Sequence, residues 1–187
     1  MGVNEALFEF VNHGLQNPVL DAVMPYLTQF GDFIFIFLVV VALFLYAKIT
    51  HRDTLKKVAI ITLISLLVAG GITVFLKHMV HEPRPFMSLD NVHLLVMEDD
   101  PDSFPSGHTT AVFAVVCSLI LNMKSLSKKY YKAIDILLVI FALLIPFSRM
   151  YVGLHYPGDV LVGAVIGILS AFLINRYKDE ILSIIKF

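Results

Sequence analysis

An arginine, a histidine and an aspartate fall within eleven positions in Ser148-Arg149-Met150-Tyr151-Val152-Gly153-Leu154-His155-Tyr156-Pro157-Gly158-Asp159, at a break between two apolar runs. Ionisable groups at membrane depth are costly unless they are paired or face a polar cavity, so this cluster marks a candidate site. His155 and Asp159 are four apart. At that spacing a carboxylate can hold one imidazole nitrogen and leave the other free as a base or nucleophile. Arg149 supplies a planar cation for an anion.

Two other segments carry complementary chemistry. Lys77-His78-Met79-Val80-His81-Glu82-Pro83-Arg84-Pro85 offers two cations seven residues apart, with a rigid proline on each side of the arginine. Pro105-Ser106-Gly107-His108 stands at the start of an apolar run. There the Ser106 hydroxyl, free backbone amides and the helix dipole favour an anion, and Gly107 keeps the approach open. Three cations, a helix N-terminus and two histidines suit a tetrahedral phosphate whose charge must be held while a P–O bond breaks. His155 can attack phosphorus, Asp159 can fix its tautomer, and His108 can protonate the leaving oxygen. Lys77, Arg84 and Arg149 then neutralise the equatorial oxygens, a task other phosphoryl-transfer enzymes give to magnesium. No metal or cofactor is expected.

The elements that must position these residues are membrane helices. The chain has 187 residues, 58% hydrophobic and 16% charged, with a mean hydropathy of +0.82. That is too apolar for a soluble domain of this length and implies a polytopic membrane protein. A hydrocarbon core of about 30 Å takes about 20 helical residues, and the uncharged runs approach that length one after another. The expected architecture is all-α: a single membrane-embedded domain over 1–187, with two short interfacial helices in 1–31 and five spans in 33–175. The spans are Phe33–Ala47, Leu55–Val80, Pro105–Met123, Tyr131–Met150 and one from Pro157 to Asn175. Residues 81–104 form a polar, acidic loop that prolines keep from becoming a continuous helix. Gly163, Gly167 and Ala171, four apart, form a packing stripe on the last span.

Of the fourteen Lys and Arg residues, eleven lie in the segments joining spans one to two and three to four, or after span five. The positive-inside tendency makes that side cytoplasmic, with the C-terminus inside. The three left over are Lys77, Arg84 and Arg149, so the candidate site faces the extracytoplasmic side of the cell membrane. A net charge of −1, with no basic tail, argues against a nucleic-acid partner. Cys117 is the only cysteine, so no internal disulfide can form, and it reads as a packing residue. The N-terminus, with Glu5 and Glu9, has no cleavable leader pattern. Oligomeric state is not legible.

Taken together, Lys77-x6-Arg84-Pro85, Pro105-Ser106-Gly107-His108 and Ser148-Arg149-x5-His155-x3-Asp159 resemble the three signatures of the type 2 phosphatidic acid phosphatase superfamily, complete and in order. The resemblance implies a metal-independent acid-phosphatase mechanism through a phosphohistidine, with His155 as nucleophile, His108 as acid and Asp159 as orienter. It also implies a helical-bundle core shared with vanadium haloperoxidases. Asn17-Pro18-Val19-Leu20-Asp21 and Glu82-Pro83-Arg84-Pro85-Phe86 are similar to small prokaryotic undecaprenyl-diphosphate phosphatases of the bacitracin-resistance type. The expected substrate is accordingly a lipid phosphate or diphosphate, led by undecaprenyl diphosphate or a similar polyprenyl diphosphate, with phosphatidylglycerophosphate and then phosphatidate as alternatives. A non-catalytic lipid-phosphate binding or transport protein is the rival from another class, disfavoured because binding alone needs cations and no nucleophile. A vanadate haloperoxidase is a further one, although its chemistry has no evident use for five spans.

Other polar residues read more plainly. His78 and His81 beside Glu82 are a weak zinc set. His13, His51 and His93 are expected in solvent, as is the acidic face Glu98-Asp99-Asp100. Tyr151 and Tyr156 read as interfacial anchors.

Overall fold

Helices begin where a side chain or a proline settles the first free amides. Asn17 accepts hydrogen bonds from the amides of Val19 and Leu20 at 3.1 and 3.0 Å, and Pro18 follows at the first helical position. This separates α1 (Val3–Asn12) from α2 (Pro18–Gln29). Asp32 accepts from the Phe35 amide at 2.9 Å and opens α3 (Phe33–Ile49). The long α4 (Asp53–Val80) stops at His81, whose left-handed backbone (φ 50°) turns the chain into the loop that carries the one-turn α5 (Pro85–Ser88). Ser106 caps α6 (Gly107–Leu126), and α7 (Tyr131–Tyr151), α8 (Pro157–Arg176) and α9 (Lys178–Ile184) complete the chain. This computed structural model describes residues 2–185, and no strand occurs among them.

Helices α4, α6, α7 and α8 are each long and apolar enough to cross a bilayer. Helix α3 has 17 residues, about 26 Å at 1.5 Å per residue, and falls short of the hydrocarbon thickness by itself. It reaches spanning length jointly with α2, from which it is bent by 57° across a short break. The second of the two helices expected on the membrane surface is thus set at an angle to α3, and the two reach spanning length only together. The chain is a multi-pass membrane protein. Leu137, Ile140, Leu143, Leu161, Leu169 and Phe172 are exposed on its outer surface, as lipid-facing positions require.

The centre of the bundle is built on Ile36, Val40, Leu66, Ala111, Val112, Val116, Ala142 and Ile145. Helices α6 and α8 pack against each other over the greatest length. The glycine stripe explains how. A β-carbon on Gly163 would lie 2.7 Å from the Ser106 carbonyl oxygen, and one on Gly167 would lie 2.6 Å from that of Thr110. Only glycine admits so close an approach, and it sets the start of α8 beside the start of α6. Between α4 and α6, the Thr62 and Ser118 hydroxyls meet at 3.0 Å.

The hairpin of α1 and α2 covers one end of the bundle. Phe8 is fully buried, edge-on to the Tyr156 ring at 5.6 Å, and Met24 packs with Tyr151, Val152 and Leu154. Tyr151 and Tyr156 are therefore buried and do not act as exposed interfacial anchors. The Tyr151 hydroxyl donates to Asp21 at 2.6 Å, a bond the lipid interface would not supply. His93 also departs from its expected solvated place. Its Nε2 lies 3.1 Å from Asp21, and its amide donates to Asn12 at 2.9 Å.

Candidate active site

Proline and glycine chemistry delivers the three motifs to one end of the bundle. Lys77 is on the last turn of α4, and Arg84 stands between Pro83 and Pro85 at the entrance to α5. Arg149 closes α7, which ends in a turn through Gly153. That residue has φ +90°, and a β-carbon there would come within 2.9 Å of Val92, so glycine is needed both for the backbone and for the space. The turn swings His155 back under the bundle before Pro157 restarts the helix.

His155 is 1% exposed, Asp159 1%, and Arg84 and Arg149 2% each. Arg84 Nη1 lies 3.1 Å from Nε2 of His155 and donates to the Leu154 carbonyl oxygen at 3.1 Å. Nδ1 of His155 lies 3.4 Å from both Oδ2 of Asp159 and the Ser103 hydroxyl. The same Asp159 oxygen accepts from the Tyr156 amide at 2.8 Å and from the Ser103 hydroxyl. Asp159 therefore caps α8 and orients His155 with one atom. Arg149 Nη1 is 3.3 Å from Nε2 of His108 and donates to the Thr28 hydroxyl at 3.3 Å. Its Nε is buried without a hydrogen-bond partner among the described residues.

These groups surround a cavity of about 150 Å³ lined by Asp32, Phe33, Lys77, Arg84, Glu98, Asp100, Gly107, His108, Arg149 and His155. A second cavity, about 270 Å³ and mostly apolar, adjoins it through Phe33, Lys77, Asp100 and Gly107 and continues along Gly70, Thr73 and Val74. Burial, reinforced by the charges of Arg149 and Arg84, holds His155 well below the ordinary imidazole value, so it is neutral around pH 7. Asp100 is held below the ordinary carboxylate value. Burial raises it, but hydrogen bonds from Lys77 and the Asp102 amide and the nearby charges of Lys77 and Arg84 outweigh that.

The cavity is lined by three cations and two histidines, with the buried Asp159 behind His155. Residues 58–182 match the PAP2 superfamily. The chain is 32% identical over 179 residues to the undecaprenyl-diphosphatase of Bacillus subtilis, covering 95% of this chain and 85% of that one. The chain belongs to the PAP2 superfamily. Solved structures agree in fold, one of them described as PAP2-type. A transmembrane phosphatidylglycerolphosphate phosphatase of Bacillus subtilis superposes with a TM-score of 0.79 at 26% identity, over 95% of this chain and 85% of that one. LpxE of Aquifex aeolicus superposes with 0.74 at 28% identity, over 95% and 97%.

Within this PAP2 site, seven of the eight residues singled out in the sequence gather at one place: Lys77, Arg84, Gly107, His108 and Arg149 line the cavity with His155, and Asp159 stands behind it. Ser106 does not line it. Its hydroxyl is fully buried and accepts from the Thr109 amide and hydroxyl at 3.4 and 3.0 Å, so it caps α6 and offers the cavity nothing. Its amide instead donates to the Asp159 carbonyl oxygen at 3.1 Å, tying the second motif to the third.

Three polar contributors escaped the sequence reading. Ser103 bridges Asp159 and His155 from the loop. Glu98 and Asp100, expected as a solvated face, turn onto the cations. Loop residues have no periodicity to reveal which way they point. His78 and His81 do not converge: the first ring bonds the Val74 carbonyl oxygen of its own helix at 2.8 Å, the second approaches Asp102 at 3.2 Å.

Proposed function

We propose that this PAP2 lipid phosphatase removes the terminal phosphate of a polyprenyl diphosphate, with undecaprenyl diphosphate as the leading substrate, at the extracytoplasmic surface. The observation that carries this reading is Nε2 of His155 lying 3.1 Å from Arg84 Nη1 at the wall of a cavity that Lys77 and Arg149 also line.

The terminal phosphoryl group sits between Lys77, Arg84 and Arg149. Nε2 of His155 attacks phosphorus, the P–O bond to the lipid monophosphate breaks, and His108 delivers a proton to the departing oxygen. Asp159 holds the Nδ1 proton and stabilises the imidazolium that develops. Water then attacks the phosphohistidine with His108 taking its proton, and inorganic phosphate leaves. The three cations supply the charge neutralisation, so the scheme uses no divalent ion. The prenyl tail lies in the apolar cavity over Gly70, Thr73 and Val74, between α3 and α4, with its remainder in the bilayer. The extracytoplasmic placement rests on the eleven Lys and Arg residues at the other ends of the spans.

Phosphatidylglycerophosphate is the second reading, favoured by the TM-score of 0.79 against the phosphatidylglycerolphosphate phosphatase. Phosphate release from the two lipids side by side, in detergent, with His155→Ala protein as the blank, separates them. Faster release from the diphosphate is expected. Preference for the glycerophospholipid transfers the assignment, and release from neither favours a binding or transport role.

A further inference from the structure

The cations of the site are already occupied by the chain's own carboxylates. Oε2 of Glu98 lies 3.0 Å from Nη2 of Arg149, and Oδ2 of Asp100 lies 2.8 Å from Nζ of Lys77 and 3.6 Å from Nη2 of Arg84. The burial is lopsided. The side chains of Arg149, Arg84 and Lys77 are 2%, 3% and 15% exposed, whereas those of Glu98 and Asp100 are 30% and 45% exposed. The cations are fixed in the wall, and the acids reach in from the mouth.

The backbone that carries them is pinned at both ends. On one side the His93 amide donates to Asn12 at 2.9 Å and the Leu95 amide to the Val152 carbonyl oxygen at 3.2 Å; on the other the Ser103 amide donates to the Glu82 carbonyl oxygen at 2.7 Å. Between those anchors the Asp100 carbonyl oxygen accepts from Nε of Arg84 and Asp102 pairs with Pro83, so the backbone stays in place and only the half-exposed Glu98 and Asp100 side chains are left to move.

A buried guanidinium without a counter-anion is expensive, and these carboxylates remove that cost in the empty site. A phosphoryl group needs the same donors. Two carboxylates and a phosphoryl group carrying up to two charges cannot share three cations without strong repulsion. One set must leave.

We infer that Glu98 and Asp100 are resident competitors for the phosphoryl site, displaced by the substrate and returning as inorganic phosphate departs. This inference rests on the reading of Lys77, Arg84 and Arg149 as phosphoryl ligands. Its consequence is selectivity for lipid-borne phosphate. Every incoming anion bears the same displacement cost, but only a lipid has tail contacts to offset it, so free phosphate and small phosphate esters bind poorly.

Orthovanadate, a phosphate-shaped anion without a tail, is the probe. Its inhibition constant is measured against lipid diphosphate hydrolysis for wild type, Glu98→Gln and Asp100→Asn, with Glu98→Asp as a charge-retaining control. The expected result is inhibition tightened tenfold or more by Glu98→Gln and by Asp100→Asn, and by less than threefold by Glu98→Asp. Should one neutral variant fail to fold, the other carries the same reading. Unchanged or weaker inhibition in the neutral variants overturns the competitor role while the phosphoryl site stands. Hydrolysis that stays insensitive to millimolar vanadate in wild type and in both neutral variants overturns the phosphoryl site itself.

Discussion

Arg84 Nη1 and His155 Nε2 lie 3.1 Å apart in a buried pair. A guanidinium carries donors and no acceptor, so Nε2 accepts and the neutral ring keeps its proton on Nδ1, where Asp159 and Ser103 wait. The tautomer that nucleophilic attack requires is thus held from both sides before substrate arrives.

Asp159→Asn should break this arrangement with little change in shape. An amide presents one donor and one acceptor where the carboxylate presents two acceptors, and it tolerates the opposite tautomer. A loss in kcat of about 10³-fold or more is expected from comparable His–Asp pairs, measured by phosphate release.

Ser103→Ala should lower kcat by about tenfold, the scale of one hydrogen bond to a charged group, with KM moved much less. Ser103→Thr, which keeps the hydroxyl, should recover most of it. Equal losses in both variants would make Ser103 a packing residue only.

His155 sits well below its ordinary value because it is buried beside Arg149 and Arg84. His155 therefore stays neutral as pH falls, and with it as the proposed nucleophile the acidic limb of log kcat/KM, which reports the free enzyme, should lie below about pH 6.5. Stability follows with a defined sign. The unfolded imidazole binds a proton near pH 6.5 and the folded one does not, so the contribution is whole above about 6.5 and is lost as pH falls from there through the folded value. Thermal unfolding in detergent should show that loss, and His155→Gln should flatten it.

Gly163→Ala and Gly167→Ala should each destabilise the bundle by about 1–3 kcal/mol, because the new methyl meets backbone atoms at 2.7 and 2.6 Å and these cannot rotate away. Gly163→Ala, which presses on the Ser106 carbonyl beside Asp159, should also cost activity beyond its effect on melting temperature.

Much of this was legible in the sequence because motif residues in a membrane chain stand out against apolar runs. Lys77, Arg84, His108, Arg149, His155 and Asp159 were identifiable by type and spacing, and the long helices by length and apolarity. What escaped was direction. Ser106 has the right chemistry for an anion but spends it on the α6 cap. Tyr151 and Tyr156 have the amphipathic character of interfacial residues, yet α1 and α2 fold over them, a tertiary event no local pattern encodes. Glu98 and Asp100 lie in a loop rich in acids, where only the fold distinguishes a carboxylate on a buried arginine from one in water.

The central claim is covalent catalysis by His155, and its direct test is rapid mixing with lipid diphosphate radiolabelled in the terminal phosphate. The reaction is quenched in alkali, which preserves phosphohistidine, and the protein-bound label is mapped. Label on His155 in wild type, with no label and at least 10³-fold slower release in folded His155→Ala protein, is the predicted result. Label on another residue, or release by His155→Ala within tenfold of wild type, would contradict the account.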